Sequence, residues 1–282
     1  MGSSLAQALL SAGHQVTVYN RTAAKAASLA ALGALVVATP YEAIMASDAT
    51  LVVLADFTCM QALLRDGATR ASLAGRKLLS VTTTTTSEIT ALARELALLD
   101  CSLSEVTVTV YPDVVQRKEG QFLLGCCAED SPFWSSILGD IGTFVHRAGE
   151  VGDASRTDLA LVIPFVFNIA ATAYAAAVAN KMNVPAPLIQ HQVTENPTLT
   201  IHGAKGLLPQ MFARNYAQDM ASVQSTIYAL TMAVEAIRPL GVPMEVLDGL
   251  LGLFAAASER GLGAKDAASV YEVLLEPDAV PM

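Results

Sequence analysis

Apolar residues fall at helical spacing from the first positions of the chain. Leu5, Ala6, Leu9 and Leu10 place one apolar face on a helix that opens at Gly2. Gly13 stands where a C-terminal glycine stops such a helix. The period then changes: Val16-Thr17-Val18-Tyr19 is a β-forming run, closed by the polar cluster Asn20-Arg21-Thr22. The alternation repeats. Ala23 to Ala31 predicts a helix ending at Gly33, and Ala34 to Ala38 a short strand. Thr39-Pro40 opens another helix, with proline suited to the first helical position, and Ser47-Asp48 ends it. Thr50 to Ala55, TLVVLA, is a near-continuous apolar run and reads as a buried parallel strand, with Asp56 and Phe57 at its carboxyl end. A helix over Cys59 to Leu64 and a strand over Lys77 to Thr82 follow. The run Thr82 to Thr86 then leads into a helix from Ser87-Glu88 through Leu99. Ser104 to Val110, Glu119 to Leu124 and Phe144 to Arg147 read as strands. Tyr111-Pro112 breaks the first of these, and a helix over 132–141 carries Trp134.

Strands and helices alternating to about residue 148 predict an α/β fold, a Rossmann-type doubly wound sheet. From Ser155 onward the pattern is helical throughout, over 155–182, 186–193, 208–239, 243–258 and 263–275. Gly149 and Gly152 mark the change. The chain therefore divides into a nucleotide-binding domain over 1–150 and an all-helical domain over 151–282.

Composition narrows the function classes. The 282 residues are 53% hydrophobic and 15% charged, enough for a sizeable core and too apolar for disorder. Net charge is −9, with 17 basic and 26 acidic residues and no basic run, which leaves nucleic acid without a footprint. Cys59, Cys101, Cys126 and Cys127 form no C-x-x-C arrangement and read as reduced cytoplasmic thiols, Cys126 and Cys127 as buried neighbours at a strand end. Leu159 to Ala179 is long enough to span a bilayer. It is alanine-rich, interrupted by Pro164 and Asn168, and flanked by no cluster of basic residues, so it reads as a helix buried in a soluble assembly, not as a membrane span.

The first candidate chemistry lies at Asn20-Arg21-Thr22. In a dinucleotide fold the adenosine ribose sits at the end of this strand, where an acidic side chain selects NAD. Here Asn20 and Arg21, with Lys25 one turn on, suit the 2′-phosphate of NADP. Such a site also needs a strand and a G-x-G-x-x-G loop, of which only the last glycine, Gly2, has a counterpart. The expectation is that the first strand and most of the loop are absent, by a misplaced start codon or a true truncation.

Met1-Gly2, Gly13-His14, Val16 to Val18 and Asn20 to Thr22 together resemble the 6-phosphogluconate dehydrogenase-like superfamily. Its β-hydroxyacid dehydrogenases carry a catalytic lysine on the helix after Gly152, with an asparagine four residues on. Asp158 and Val162 stand at those positions, and Tyr111 aligns with the family's serine. Asp158-Leu159-Ala160-Leu161 is similar instead to the imine reductase and reductive aminase branch, which often places an aspartate there. That resemblance implies NADPH-dependent reduction of a C=N bond, formed from an imine or from a carbonyl plus an amine, with Asp158 acting on the nitrogen. An aspartate in a first turn also simply favours the helix dipole.

The resemblance further implies that Met1 and Gly2 face the pyrophosphate and that Leu54 and Ala55 back the ribose. Thr82 and Thr83 would flank the nicotinamide, although a threonine run at a strand end also serves as a helix cap. Tyr111 and Tyr174 are candidates for the substrate pocket, with core packing the plainer role for Tyr174. The branch forms domain-swapped homodimers, which would bury the apolar run 159–179. Gln218-Asp219-Met220 stands where hydroxyacid enzymes carry Lys-Asp-Leu, and His202 belongs to a polar loop. Two rival readings follow: a hydroxyacid dehydrogenase with altered machinery, and a non-catalytic dimeric remnant that has lost cofactor binding.

Overall fold

The computed structural model describes residues 1–195, 201–217 and 221–276, and divides into two compact units, Met1–Pro164 and Phe165–Met282. The first unit opens with helix α1 (Gly2–Ser11), which buries Leu5, Ala6, Ala8 and Leu9, the face set by its apolar spacing. Gly13 adopts φ 93° after it, a conformation that costs a side-chain-bearing residue energy. Strand β1 (Thr17–Val18), helix α2 (Ala27–Ala31) and strand β2 (Leu35–Val36) follow. Helix α3 (Pro40–Met45) begins with a capping box, the Thr39 hydroxyl accepting from the Glu42 amide and the Glu42 carboxylate accepting from the Thr39 amide. Strand β3 (Ala49–Val52) leads to helices α4 (Phe57–Arg65) and α5 (Gly67–Ala71), then strand β4 (Lys77–Ser80) and helix α6 (Thr86–Ala97). Strand β5 (Ser102–Val108), helix α7 (Pro112–Gln116), strand β6 (Gly120–Gly125), helix α8 (Ser131–Gly139) and strand β7 (Gly142–Gly149) complete the α/β part.

The strands form two sheets, β1-β2 and β3-β4-β5-β6-β7. All pairings are parallel except β5 with β6, which run antiparallel across the α7 connection. Successive residues of a strand point to opposite faces, and the core follows that alternation. Leu79 packs on one side with Leu5, Leu9, Phe122, Leu124 and Trp134. Its neighbour Leu78 packs on the other with Ile44, Leu64, Ile89, Leu92 and Leu96.

Helix α9 (Asp153–Lys181) begins in the first unit and ends in the second. The division at Pro164 lies further along than the glycine-marked change of pattern at 149–154. The reason is that the first turn of α9 is hydrogen-bonded to the sheet, through Glu105 to the amides of Gly152, Ala154 and Ser155. The second unit continues with α10 (Ala186–Glu195), α11 (Ile201–Ala213), α12 (Val223–Ile237), α13 (Glu245–Ala257) and α14 (Val270–Leu275). The single helix expected over 208–239 is two. α11 ends at Ala213, Arg214 takes φ 49°, and the Ser222 hydroxyl caps a new start by accepting from the Ser225 amide. Arg214 turns out of the helix to pair with Glu272 on α14, an ion pair that no local pattern announces.

Most of α9 over the apolar run is exposed within this chain. It is long and apolar enough to cross a membrane by length and composition alone.

Candidate functional site

The carboxyl ends of β1, β3 and β4 and the amino end of α1 meet in the first unit. α1 has no side-chain cap at Met1, and the Ser4 and Leu5 amides already bond the Met1 carbonyl. The amides of Gly2 and Ser3 therefore stand at a helix N-terminus with positive partial charge, suited to an anion. Asn20, at the end of β1, accepts the Thr22 amide on Oδ1 at 2.9 Å and so holds the turn that presents Arg21 and Thr22. Arg21, Thr22 and Lys25 are exposed. Arg21 also acts through its charge on Cys59 at the start of α4, opposing the dominant effect there: the hydrogen bond that the Cys59 thiol donates to the Asp56 carboxylate, with Asp56's charge, raises the thiol above its ordinary range. Asp56 caps α4 at 2.7 Å, and that amide bond holds its own carboxyl below the usual range. A cationic pair beside a helix N-terminus, with no carboxylate at the end of β1, fits a dinucleotide carrying an extra phosphate on its ribose.

Leu54 and Ala55 lie just beyond β3, after Val53, half-buried and exposed respectively. The threonine run is divided among several tasks. The buried Thr82 hydroxyl accepts the Leu54 amide at 3.1 Å and donates to the Val52 carbonyl at 3.4 Å, tying the end of β4 to the end of β3. Thr83 is exposed. Thr84 bonds Ser155 at 3.2 Å, Thr85 caps α6 with Glu88 in a capping box, and Thr86 donates to the Gly152 carbonyl at 3.2 Å. The run thus serves both as strand end and as cap, and two of its hydroxyls reach the start of α9.

That start is organised by Glu105, a charged residue in the buried middle of β5 whose importance no spacing revealed. Glu105 is 4% exposed. Its Oε1 accepts the Gly152 amide at 2.6 Å, Ala154 at 3.1 Å and Ser155 at 3.3 Å, while Oε2 accepts the Ser155 hydroxyl. A carboxylate on the first amides of a helix compensates both their lost partners and the helix dipole. Gly125 makes room for it, because a Cβ there would lie 2.6 Å from Glu105 Oε1.

One turn along α9 from Ser155 comes Asp158. It is half-buried, and burial raises its carboxyl above the ordinary range. Among the described residues no ion pair or hydrogen bond involves it. Tyr111 caps the start of α7 and is exposed. Tyr174 is in the second unit, where its hydroxyl donates to the Pro243 carbonyl at 3.0 Å. All four cysteines are free, and Cys126 and Cys127 follow β6. Gln218, Asp219, Met220 and the side chain of His202 lie outside the described residues.

The parallel strands, the helix N-terminus at their carboxyl ends and the cationic turn after β1 have the arrangement of a dinucleotide-binding domain. Comparison with known proteins gives the family. Residues 1–149 match the NAD binding domain of 6-phosphogluconate dehydrogenase, and residues 150–276 match the NADPH-dependent reductive aminase-like C-terminal domain. The chain belongs to this family. Among solved structures, an imine reductase from Myxococcus stipitatus in complex with NADP+ superposes with TM-score 0.90 at 24% identity, covering 97% of this chain and 96% of that one. A reductive aminase from Aspergillus terreus, in complex with NADPH and ethyl-5-oxohexanoate, has TM-score 0.88 at 27% identity and covers 97% and 95%. A glyoxylate/succinic semialdehyde reductase from Arabidopsis thaliana is 25% identical over 97% of this chain and 76% of its own length.

Proposed function

We infer that the protein is an NADPH-dependent reductase of C=N bonds, acting on an imine or on a carbonyl plus an amine. The observation that carries this reading is Asp158, a half-buried carboxyl with raised pKa and no counter-ion among the described residues. A ketone reductase needs a donor for a developing alkoxide, a role suited to lysine. An imine nitrogen is basic, and a carboxyl whose burial favours the protonated form matches it. A bound dihydronicotinamide supplies the hydride. Asp158 holds the proton at the nitrogen, so that the carbon becomes more electrophilic. Arg21 and Lys25 hold the 2′-phosphate, the α1 amides hold the pyrophosphate, and Thr82 keeps the ends of β3 and β4 together where Thr83 is presented. Tyr111 borders the substrate. The apolar α9 is covered by a second copy of the chain. The Arabidopsis relative supports a second reading, reduction of small oxo acids; the absence of a lysine at Asp158 weighs against it.

The test is NADPH oxidation with a cyclic imine, against NADPH oxidation with small oxo acids and NADP+ reduction with the corresponding hydroxy acids. Asp158→Asn is expected to lower imine turnover at least about 100-fold, the ordinary worth of a positioned acid, with NADPH affinity unchanged. Unchanged turnover would sink the assignment, and wild-type activity confined to hydroxy acids would establish the second reading.

A further inference from the structure

We propose that Thr84 and Ser155 are positioning residues of the reductase site: their hydroxyls, oriented by Glu105, lock the turn that presents Thr83 to the helix that carries Asp158. What the lock serves rests on the C=N reading; the lock itself rests on the geometry of the first unit.

Burial alternates along the threonine run, with Thr82 and Thr84 buried and Thr83 and Thr85 exposed. Four of the five hydroxyls are bonded internally. Thr82 donates to the Val52 carbonyl, Thr84 meets Ser155, Thr85 bonds the Glu88 carboxylate, and Thr86 donates to the Gly152 carbonyl. Among the described residues no hydrogen bond engages the Thr83 side chain. The run is thus fixed on both sides of the one hydroxyl it leaves for a ligand.

Glu105 sets the direction of the bond between Thr84 and Ser155. A carboxylate only accepts, and an amide N–H only donates. Glu105 Oε1 holds the amides of Gly152, Ala154 and Ser155, and the Ser155 hydroxyl gives its proton to Oε2. The Ser155 oxygen is then an acceptor, so the Thr84 hydroxyl, 3.2 Å away, is the donor. The chain runs one way, from Thr84 through Ser155 to a buried charge. A charged acceptor at its end polarises both links and strengthens them.

The surroundings leave little slack. A Cβ at Gly152 would lie 2.8 Å from Thr90 Cγ2 and 3.0 Å from Thr86 Cγ2, so the start of α9 lies directly on the start of α6. Asp158 comes three residues after Ser155, on the same face of α9. The Thr84–Ser155 bond therefore sits one residue from Thr83 and one helical turn from Asp158. Displacing reacting groups by about 1 Å costs on the order of 100-fold in rate, so a lock here acts on turnover more than on binding.

The test uses the full chain with Thr84→Val, which keeps the volume and removes the hydroxyl, Thr84→Ser, which keeps the hydroxyl, and Ser155→Ala. In the unliganded protein, Thr84→Val is expected to speed amide exchange at Gly152, Ala154 and Ser155 about fivefold, the worth of one hydrogen bond. In a fluorescence titration it should leave the Kd for NADPH within about threefold while changing the emission of the bound nicotinamide. With a cyclic imine it should lower kcat at least about tenfold at nearly unchanged KM, and Thr84→Ser should recover most of that loss. Adding Thr84→Val to Ser155→Ala should change nothing further, because the two remove one shared contact. A Thr84→Val variant with wild-type exchange, no gain from Thr84→Ser over Thr84→Val, or additive losses in the double variant would overturn the proposal. A wild type that turns over oxo acids and no cyclic imine would count against the C=N reading alone. Exchange and nicotinamide emission would still decide the lock, with the kinetics repeated on the oxo acids.

Discussion

Asp158 and Arg21 carry opposite kinds of information. Asp158 is legible as chemistry only once its burial is known: the same aspartate on a solvated first turn would be a helix-dipole residue and nothing more. Burial raises its carboxyl, so the folded chain favours the protonated form. The stability linked to it is fully present below the unfolded pKa and lost as pH rises through the folded one. Catalysis by the protonated form has the same sign. The kcat/KM for a cyclic imine is expected to fall as pH rises through this raised pKa, and Asp158→Asn to abolish that limb; a rate–pH profile of wild type and variant checks it. Arg21 is exposed and shows its chemistry in the sequence alone. A charge-assisted phosphate bond is worth about 1.5–3 kcal/mol. Arg21→Ala should therefore weaken NADPH roughly 10- to 100-fold while leaving NADH nearly unchanged, as measured by fluorescence titration of both cofactors.

At the scale of elements, the start of α9 is held by a residue of β5. Glu105 gathers three amides and one hydroxyl, and Thr84 reaches the same serine. Glu105→Gln keeps the shape and directs an NH2 group at donors. The expected loss is about 1–3 kcal/mol, read as a lower urea midpoint at unchanged slope. The threonine run was legible as a strand end followed by a cap, because Thr85 and Glu88 have capping-box spacing. That Thr84 and Thr86 reach α9 was not legible, since their partners lie far off in sequence. The same distinction explains the division of the helix expected over 208–239. Helical patterning on both sides hid the break, which falls where Arg214 leaves the helix with φ 49° and pairs with Glu272 far along the chain.

For the whole molecule, the exposed length of α9 decides what a single chain lacks. Ile163 is 54% exposed and Phe167 53%, and neither is covered within the chain. Burying such side chains is worth about 1.5–3 kcal/mol each. If a second copy covers them, the wild type sediments as a dimer, and Phe167→Asp shifts it to monomer or lowers the dimer affinity at least about tenfold; a wild-type monomer at micromolar concentration would overturn this.

By itself the sequence determined the alternation of strands and helices, the change to helices after Gly152, and the cationic turn at Asn20-Arg21-Thr22. These are local matters of period, capping and charge, readable within a few residues. Only the tertiary structure decided that Glu105 anchors α9, that Asp158 is partly desolvated, and that the Tyr174 hydroxyl bonds the Pro243 carbonyl. Each of those depends on partners distant along the chain. Burial and pairing are properties of the assembled sheet and helices, and no window of sequence contains them.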